Sequence, residues 1–184
     1  RTNLYSNSFT FLMNFDIDET DLRLLRLLQK DSGLSNQTLA EQAFLSPATC
    51  LRRVKRLRES GLIAREVALL DIDRVATVVG HGLTAIVEIT LDKQNSEAQD
   101  RFEERLRDEP AVQQCYRVSP GPDFVLVLFV TDMPAYLALT QRIFSTGANV
   151  RNVKTFFSTK RAKFDPSIPV EFRTSAFSRA GSSH

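Results

Sequence analysis

The sequence is poor in the residues from which metal centres, disulfide frameworks and catalytic sites are built. Its 184 residues include only two cysteines and two histidines. Cys50 and Cys115 are too few for a disulfide framework and lack metal-ligand spacing, and the histidines are His81 and His184. We therefore expect no metal, no cofactor and no catalytic residues, and a reducing, cytoplasmic setting.

Long apolar runs are also absent. The longest is "FVLVLFV", Phe124 to Val130, far short of the roughly 20 residues that a membrane-spanning helix needs. Residues 1–12, "RTNLYSNSFTFL", have no apolar core of signal-peptide length and lie ahead of Met13, so we expect a disordered extension or tag there. The formal net charge of +2 is too small to imply a partner by itself, so the placement of charge matters more than its sum.

The first part of the chain is predicted to be helical. Between residues 16 and 63 the apolar residues recur at helical spacing three times, which indicates a small three-helix domain over residues 13–64. The predicted N-caps of its helices are Asp18, Ser35 and Ser46. Asp21 adds a favourable negative charge to the first turn of the first helix. Pro47 stands at the first position of the third helix, where its missing N–H costs nothing, and Gly61 ends that helix.

Beyond Gly80 the apolar spacing changes from helical to strand-like, which predicts a second domain over residues 81–164 and a linker over 65–80. Its predicted elements are a strand 83–91, a helix 96–109, strands 112–118 and 124–130, a helix 132–145 ended by Gly147, and a strand 150–159. This β-α-β-β-α-β order is the ferredoxin-like motif, so the fold class is α+β. Because both helices would cover one face of the sheet, we expect a second copy of the chain to cover the other face. Residues 165–184 are expected to form an extended or partly disordered tail.

The third predicted helix lies in "LSPATCLRRVKRLRESGLI", Leu45 to Ile63, whose stretch from Arg52 to Arg58 is basic with no acidic residue. On a helical wheel, the buried side is predicted to hold Cys50, Leu51, Val54 and Leu57. The outward side is predicted to hold Thr49, Arg52, Arg53 and Arg56, with Lys55 and Arg58 at its margins. Guanidinium groups suit phosphates and guanine edges, and threonine suits phosphates or thymine methyls. We therefore predict DNA contacts from Ser46, Pro47, Thr49, Arg52, Arg53, Lys55 and Arg56.

The alternative interpretation is that this basic face is only solvated, which is the usual role of basic runs on amphipathic helices. An ordinary solvated face mixes charges of both signs for i,i+4 pairing, as Glu97, Arg101, Glu104 and Arg105 do later in the chain. The stretch Arg52 to Arg58 has no such mixture. It also occupies the third helix of a three-helix domain followed by an extended segment, where a winged helix-turn-helix presents its recognition helix. Both observations favour nucleic-acid binding.

Three stretches of the sequence resemble the Lrp/AsnC family of transcription regulators. They are residues 16–63, including "LSPATCLRRVKRLRESGLI", together with "LTAIVEITL" and "DFVLVLFVTDMPAYLAL". The resemblance runs from about Asp16 to Phe164 and implies an N-terminal winged helix-turn-helix, a linker and a C-terminal ferredoxin-like domain that binds effectors and dimerises. It also implies DNA as the partner, an amino acid as the usual small-molecule effector, and a homodimer that commonly assembles to an octamer.

The same resemblance places the effector site near the turn between the second and third strands, where the family usually has a Gly-Asp-x-Asp type sequence. Here the turn is "VSPGPDFVL", so Asp123 matches the second acidic position and Ser119 precedes the turn. Pro120 takes the glycine position, and Gly121 takes the first acidic one. The loss of that acidic residue weakens the case for an ordinary amino-acid effector. The resemblance implies effector contacts from Ser119, Gly121 and Asp123, whereas "PGP" can also be simply a rigid hairpin turn.

Other functions are compatible with this fold class. Proteins that resemble the family include siroheme decarboxylases, which use the two-domain fold for tetrapyrrole chemistry. That chemistry needs polar or histidine side chains around a large cavity, and His81 is the only histidine outside the tail. A ligand sensor that has lost DNA binding is a third possibility, against which the intact basic helix argues. Cys50 is expected in the core and not as a redox sensor, and Cys115 has no catalytic partner. His81 is expected to be structural or solvent-facing and not a ligand or a base.

Overall fold

A computed structural model describes residues 17–80, 82–144 and 149–171 of the chain. These residues form two compact units, one made of residues 17–68 together with 165–171, and the other made of residues 69–164. Four sequence predictions concern residues outside the described ranges: the N-terminal extension 1–12, the structural or solvent-facing role of His81, the C-cap Gly147, and the last part of the tail.

The first unit is built on three helices, as predicted: α1 (Glu19–Lys30), α2 (Asn36–Ala43) and α3 (Pro47–Glu59). The three predicted N-caps are confirmed, because the side chains of Asp18, Ser35 and Ser46 each accept a hydrogen bond from a backbone N–H in the first turn. Gly61 follows the end of α3 with φ +76, a left-handed conformation that glycine adopts without strain. The buried core of this unit is formed by side chains from all three helices: Leu24, Leu39, Ala40, Ala43, Cys50, Val54 and Leu57.

The described end of the chain belongs to the same unit. Residues 165–171 have no regular secondary structure, yet they are held to α1 by reciprocal hydrogen bonds. The Nε2 of Gln29 donates to the backbone oxygen of Ile168 (3.1 Å), and the N–H of Ile168 donates to Gln29 Oε1 (2.8 Å). Arg26 Nη1 donates to the backbone oxygen of Val170 (3.2 Å). This part of the predicted tail therefore lies along α1.

The second unit has one helix that the sequence reading missed, α4 (Ile72–Val79), which lies inside the predicted linker. The N-cap of α4 is Asp71, whose side chain accepts from the N–H of Arg74. The remaining elements follow the predicted order: β1 (Leu83–Leu91), α5 (Ser96–Leu106), β2 (Val112–Arg117), β3 (Phe124–Val130), α6 (Met133–Ile143) and β4 (Val150–Phe157). The strands form one antiparallel sheet in the order β2-β3-β1-β4. This is the predicted α+β, ferredoxin-like arrangement.

The core of the second unit lies on one face of the sheet. Alternate residues of β1 and β3, such as Val87 and Leu126, are fully buried there against α5 and α6. The rings of Phe102 on α5 and Phe124 on β3 lie 4.8 Å apart. The opposite face carries the other alternate residues, including Ile86, Val125, Val127, Phe129 and Phe156, which are exposed or only half-buried. This sheet face is therefore incompletely covered and largely apolar, and it also carries the ion pair of Glu88 with Lys154 (3.8 Å).

Candidate nucleic-acid interface

The N-terminus of α3 is fixed by short-range hydrogen bonds. The N–H of Thr49 donates to Ser46 Oγ (3.3 Å), and the hydroxyl of Ser46 donates to Thr49 Oγ1 (2.9 Å). The Nδ2 of Asn36 in α2 donates to the backbone oxygen of Pro47 (2.9 Å). Ser46, Pro47 and Thr49, which were predicted to contact DNA, thus lie together on the first turn of one well-anchored helix. The partial positive charge of a helix N-terminus suits an anion such as a phosphate, although here Pro47 has no N–H and the N–H of Thr49 is already paired with Ser46.

The buried side of α3 differs from the prediction at one position. Cys50, Val54 and Leu57 are buried as predicted, whereas Leu51 is 57% exposed. At about 100° per residue, Leu51 lies roughly 100° around the helix from Cys50 while Arg53 lies only about 60° away on the other side. Arg53 is therefore closer to the buried stripe than Leu51 is, and the prediction that Leu51 belongs to the buried side is wrong.

Arg53 and Arg56 do not project freely from α3, because both form ion pairs with Asp21 of α1. Arg53 Nη1 lies 3.0 Å from Asp21 Oδ1 and 2.8 Å from Asp18 Oδ2. Arg56 Nη2 pairs with Asp21 Oδ2. Asp21 is fully buried, the Arg53 side chain is 24% exposed and the Arg56 side chain is 44% exposed. The prediction that Arg53 faces outward with Arg52 and Arg56 is therefore wrong, because Arg53 lies against α1. DNA contact by Arg53 and Arg56 stays a prediction.

The electrostatics of this cluster favour the charged forms. Burial by itself would raise the pKa of the Asp18 carboxyl, but the N–H of Asp21 and the Arg53 guanidinium outweigh burial and lower that pKa. The hydrogen bond to Asp21, followed by the contact with Asp18, raises the pKa of Arg53 in spite of its partial burial. Both shifts favour the charged forms of Asp18 and Arg53 at neutral pH.

The other basic residues of α3 divide into two groups. Arg52 is exposed, and in the described residues it makes no hydrogen bond or ion pair. Lys55 is exposed and lies 3.7 Å from Glu59 one turn later, which is a loose surface contact. Arg58 donates to Glu66 from Nε (2.9 Å) and Nη2 (2.8 Å). Arg52 and Lys55 are consequently the cations of α3 whose charge is most available at the surface.

Asp21 belongs to this candidate site, but the sequence analysis predicts for it only a favourable charge in the first turn of α1. The spacing of Asp21 in the sequence indicates that it is buried. It stands three and seven residues before Leu24 and Leu28, on the face of α1 that turns inward. A carboxylate at such a position is buried, and a buried carboxylate needs a cationic partner. The sequence could indicate this need, but it could not identify Arg53 and Arg56 as the partners.

The predicted effector residues lie along one turn of the second unit. Ser119 and Gly121 are exposed, the Ser119–Pro120 peptide bond is cis, and Gly121 has φ +123. Asp123 is buried, and its Oδ2 accepts hydrogen bonds from the N–H of Leu91 (2.7 Å) and from Gln94 Nε2 (3.1 Å). The turn is thus tied to the end of β1 through Asp123. Effector binding by these three residues stays a prediction.

The two cysteines have raised thiol pKa values. Cys50 is buried in the core of the first unit, as predicted, and burial raises its pKa. Cys115 lies at the exposed edge strand β2, but the packing around its sulfur, with the nearby Glu103 carboxylate, raises its pKa to about 11. Both thiols are therefore protonated at neutral pH. Across residues 17–80, 82–144 and 149–171 there is no group of three or more potential metal ligands, and no helix long and apolar enough to cross a membrane.

Comparison with known proteins assigns both units to described families. Residues 17–64 match the model of a winged helix-turn-helix DNA-binding domain, and residues 84–168 match the model of the Lrp/AsnC ligand binding domain. The chain is 34% identical to the DNA-binding transcriptional activator DecR of Escherichia coli K12, over 84% of this chain and 99% of DecR.

Two solved structures are similar to the chain along nearly their whole length. The AsnC family transcriptional regulator of Agrobacterium tumefaciens has a TM-score of 0.74 at 33% identity, with 83% of this chain and 97% of that chain covered. A transcriptional regulator of Neisseria meningitidis, solved as a complex with L-methionine, has a TM-score of 0.72 at 29% identity, with 83% and 96% covered.

Proposed function

We propose a function from the premise that this chain belongs to the Lrp/AsnC family of transcriptional regulators. It is a DNA-binding transcriptional regulator with a helix-turn-helix unit and a ligand-binding unit. The observation that carries the proposal is the outer face of α3. Its first turn is anchored by hydrogen bonds, and Arg52 is exposed on it, so the helix offers a surface that suits phosphates and base edges in the major groove.

We propose that α3 enters the major groove with its outer face. The first turn, with Ser46, Pro47 and Thr49, would lie against a phosphate, while Arg52 would reach a base edge or a phosphate and Lys55 a phosphate. The Arg56 side chain is 44% exposed and would contact a phosphate with the donors that Asp21 leaves open. Arg53 is the least accessible of the proposed contacts, and we assign its main effect to the orientation of α3.

We propose that the second unit binds an amino acid or a related small molecule. The support is the match to the family's ligand-binding domain and the similarity to the Neisseria meningitidis regulator that was solved with L-methionine. The proposed contacts are Ser119, the exposed backbone at Gly121, and Asp123. Because Asp123 Oδ2 already accepts two hydrogen bonds, its second oxygen, Oδ1, is the one proposed to face an α-amino group.

We propose that the chain acts as a homodimer that assembles further to an octamer. The support is the sheet face described above, on which Ile86, Val127 and Phe156 are left exposed or half-buried in the single chain. Burial of such a face against a second copy is favourable by about 25 cal/mol per Å² of apolar surface. Symmetric assemblies of this kind bind paired half-sites, so the operator should be near-palindromic or repeated.

We propose no catalytic role for the chain, and no cofactor or metal. The relatives are transcriptional regulators, and both thiols in the described residues are held protonated. The competing function is a siroheme-decarboxylase-like enzyme, which would bind a tetrapyrrole and change its absorbance in a titration. Since the proposed partner is chromosomal DNA, the proposed location is the cytoplasm.

A footprinting experiment on the DNA upstream of the protein's own gene tests the DNA-binding part of this proposal. We expect protected segments that recur at about 10–10.5 base pairs or a multiple of that spacing. Protection that is spread evenly over any duplex would contradict sequence-specific binding. A thermal-shift screen with the common amino acids tests the effector part, since a ligand at 100 times its Kd stabilises the folded state by about 2.7 kcal/mol. Stabilisation by none of them would count against an amino-acid effector.

A further inference from the structure

The most unusual polar group in the first unit is the carboxylate of Asp21. It is fully buried, and each of its oxygens pairs with a different arginine of α3: Oδ1 with Arg53 at 3.0 Å, and Oδ2 with Arg56. Asp18, the N-cap of α1, adds a second carboxylate to Arg53 at 2.8 Å. The N-terminal end of α1 thus contacts arginines from two successive turns of α3, the helix that is proposed to contact DNA.

A contribution to stability does not by itself explain this cluster of ion pairs. Removing a carboxylate from water carries a desolvation penalty that an ion pair often only offsets, and apolar residues of similar size are often as stabilising as a buried ion pair. In addition, the Nε of Arg53 is buried and has no hydrogen-bond partner among the described residues, which costs further free energy. The cluster holds Arg53 in a position that does not satisfy all of its donors, so Arg53 gains hydration if it is released.

The cluster also changes the charge that α3 offers to DNA. Of the three arginines Arg52, Arg53 and Arg56, only Arg52 has no carboxylate partner in the described residues. Arg53 and Arg56 stand beside two carboxylates, so the formal charges of the four side chains cancel. A helix with three free arginines would contact phosphates in many registers, and phosphate contacts carry no sequence information by themselves.

We propose that Asp21 is a positioning residue for DNA recognition. By holding Arg53 and Arg56 against α1, it fixes the orientation of α3, keeps Arg53 from unselective phosphate contacts and leaves Arg56 only the donors that Asp21 does not occupy. Arg52 is left as the one of these three arginines that has no carboxylate partner in the described residues. This inference rests on the proposed DNA-binding function and deepens it.

The test is Asp21→Asn, which keeps the shape of the side chain and removes its charge. Released arginines add phosphate contacts, and each contact steepens the plot of log K against log salt by about 0.9. We expect the slope on a non-specific duplex to steepen by about 1 to 2 units. One unit makes the affinity fall about fourfold more between 50 and 200 mM salt than in the wild type. We also expect the ratio of specific to non-specific affinity to fall at least about threefold.

The matched control is Glu41→Gln. Glu41 is exposed on α2, contacts Gln37 and has no arginine partner in the described residues, so this variant makes the same change in net charge without releasing an arginine. In the double variant Asp21→Asn with Arg53→Gln, the slope should be less steep than in Asp21→Asn alone, because one of the two released arginines is absent. A purely structural role for Asp21 would lower the fraction of active protein, measured by stoichiometric titration, and would leave the slope unchanged.

Asp18→Asn keeps the proposal testable if the Asp21 variant does not fold. Asparagine is a good N-cap, so α1 keeps its start while Arg53 loses one carboxylate. We expect a steeper slope than for Glu41→Gln, though a smaller change than for Asp21→Asn. The proposal is overturned if a folded Asp21 variant has the slope of Glu41→Gln, or, where that variant is unfolded, if Asp18→Asn has it. The wild-type affinity ratio reports separately on the proposed function, because a ratio near one would refute sequence-specific binding whatever the variants do.

Discussion

The neighbouring arginines Arg52 and Arg53 should respond differently to substitution by alanine, although both belong to one basic run. Arg52 is exposed without an ion-pair partner in the described residues, whereas Arg53 is 24% exposed and pairs with Asp18 and Asp21. Arg52→Ala should therefore remove a DNA contact and leave the fold intact. Arg53→Ala should mainly weaken the packing of α3 on α1.

The expected magnitudes follow from these contacts. If Arg52 contacts one phosphate, its loss flattens the salt slope by about 0.9, which is about a 3.5-fold change in relative affinity between 50 and 200 mM salt. If Arg52 contacts a base edge, its loss also costs about 1 to 3 kcal/mol of discrimination at one base pair. Arg53→Ala leaves the buried Asp21 with one partner fewer. Because Arg56 remains paired with Asp21, we expect about 2 kcal/mol of destabilisation, less than the roughly 3–5 kcal/mol for breaking an isolated buried pair.

Fluorescence anisotropy with a labelled duplex at four or more salt concentrations gives the slopes, and urea unfolding followed by circular dichroism gives the stabilities. The two variants should separate, with the slope changed mainly by Arg52→Ala and the unfolding free energy mainly by Arg53→Ala. The reasoning is refuted if Arg52→Ala leaves both the slope and the affinity unchanged, or if Arg53→Ala leaves stability unchanged and flattens the slope as much as Arg52→Ala.

Three further predictions concern packing, acid stability and assembly. Leu57→Ala should cost about 3 kcal/mol in urea unfolding because Leu57 is fully buried, whereas Leu51→Ala should cost under about 0.5 kcal/mol because Leu51 is 57% exposed; equal costs would contradict the packing of α3. The lowered pKa of Asp18 contributes stability that is fully present above its ordinary value of 3.8 and is lost as pH falls through the lower folded value. Asp18→Asn should therefore flatten the decline of thermal stability below about pH 4, and an unchanged decline would exclude Asp18 as a contributor. Val127→Asp on the incompletely covered sheet face should shift the mass measured by light scattering toward the monomer, and an unchanged mass would place the interface elsewhere.

Local signals predicted most of the helices and strands. The side chains of Asp18, Ser35 and Ser46 are N-caps at the predicted positions, and the alternation in residues 83–91 and the apolar run 124–130 match β1 and β3. Each of these signals depends on neighbours within a few residues of the chain. The helix α4 carried a signal of the same kind, since Asp71 is followed by apolar residues at helical spacing. The change of apolar spacing beyond Gly80 hides this signal, because such a change predicts a domain boundary with a linker before it.

The candidate site was harder to predict because its decisive contact joins residues far apart in the sequence. The wheel divided α3 into a buried and an outward side, and this was correct for Cys50 and Arg52 but wrong for Leu51. An apolar side chain at the edge of the buried stripe stays in water when the neighbouring helix covers the other edge. That helix is α1, which covers the edge at Arg53 and supplies Asp21. No local pattern in residues 45–63 contains the position of α1.

Sequence-specific DNA binding by the full chain is the central claim, and a competition titration tests it most directly. The protein is bound to a labelled duplex from the region upstream of its own gene at about 150 mM salt, and is then displaced by the same duplex or by a shuffled duplex of equal length and composition. The account predicts that the shuffled duplex competes at least about 1,000-fold less well, the lower end of the usual specificity ratio. Equal competition by the two duplexes would contradict it.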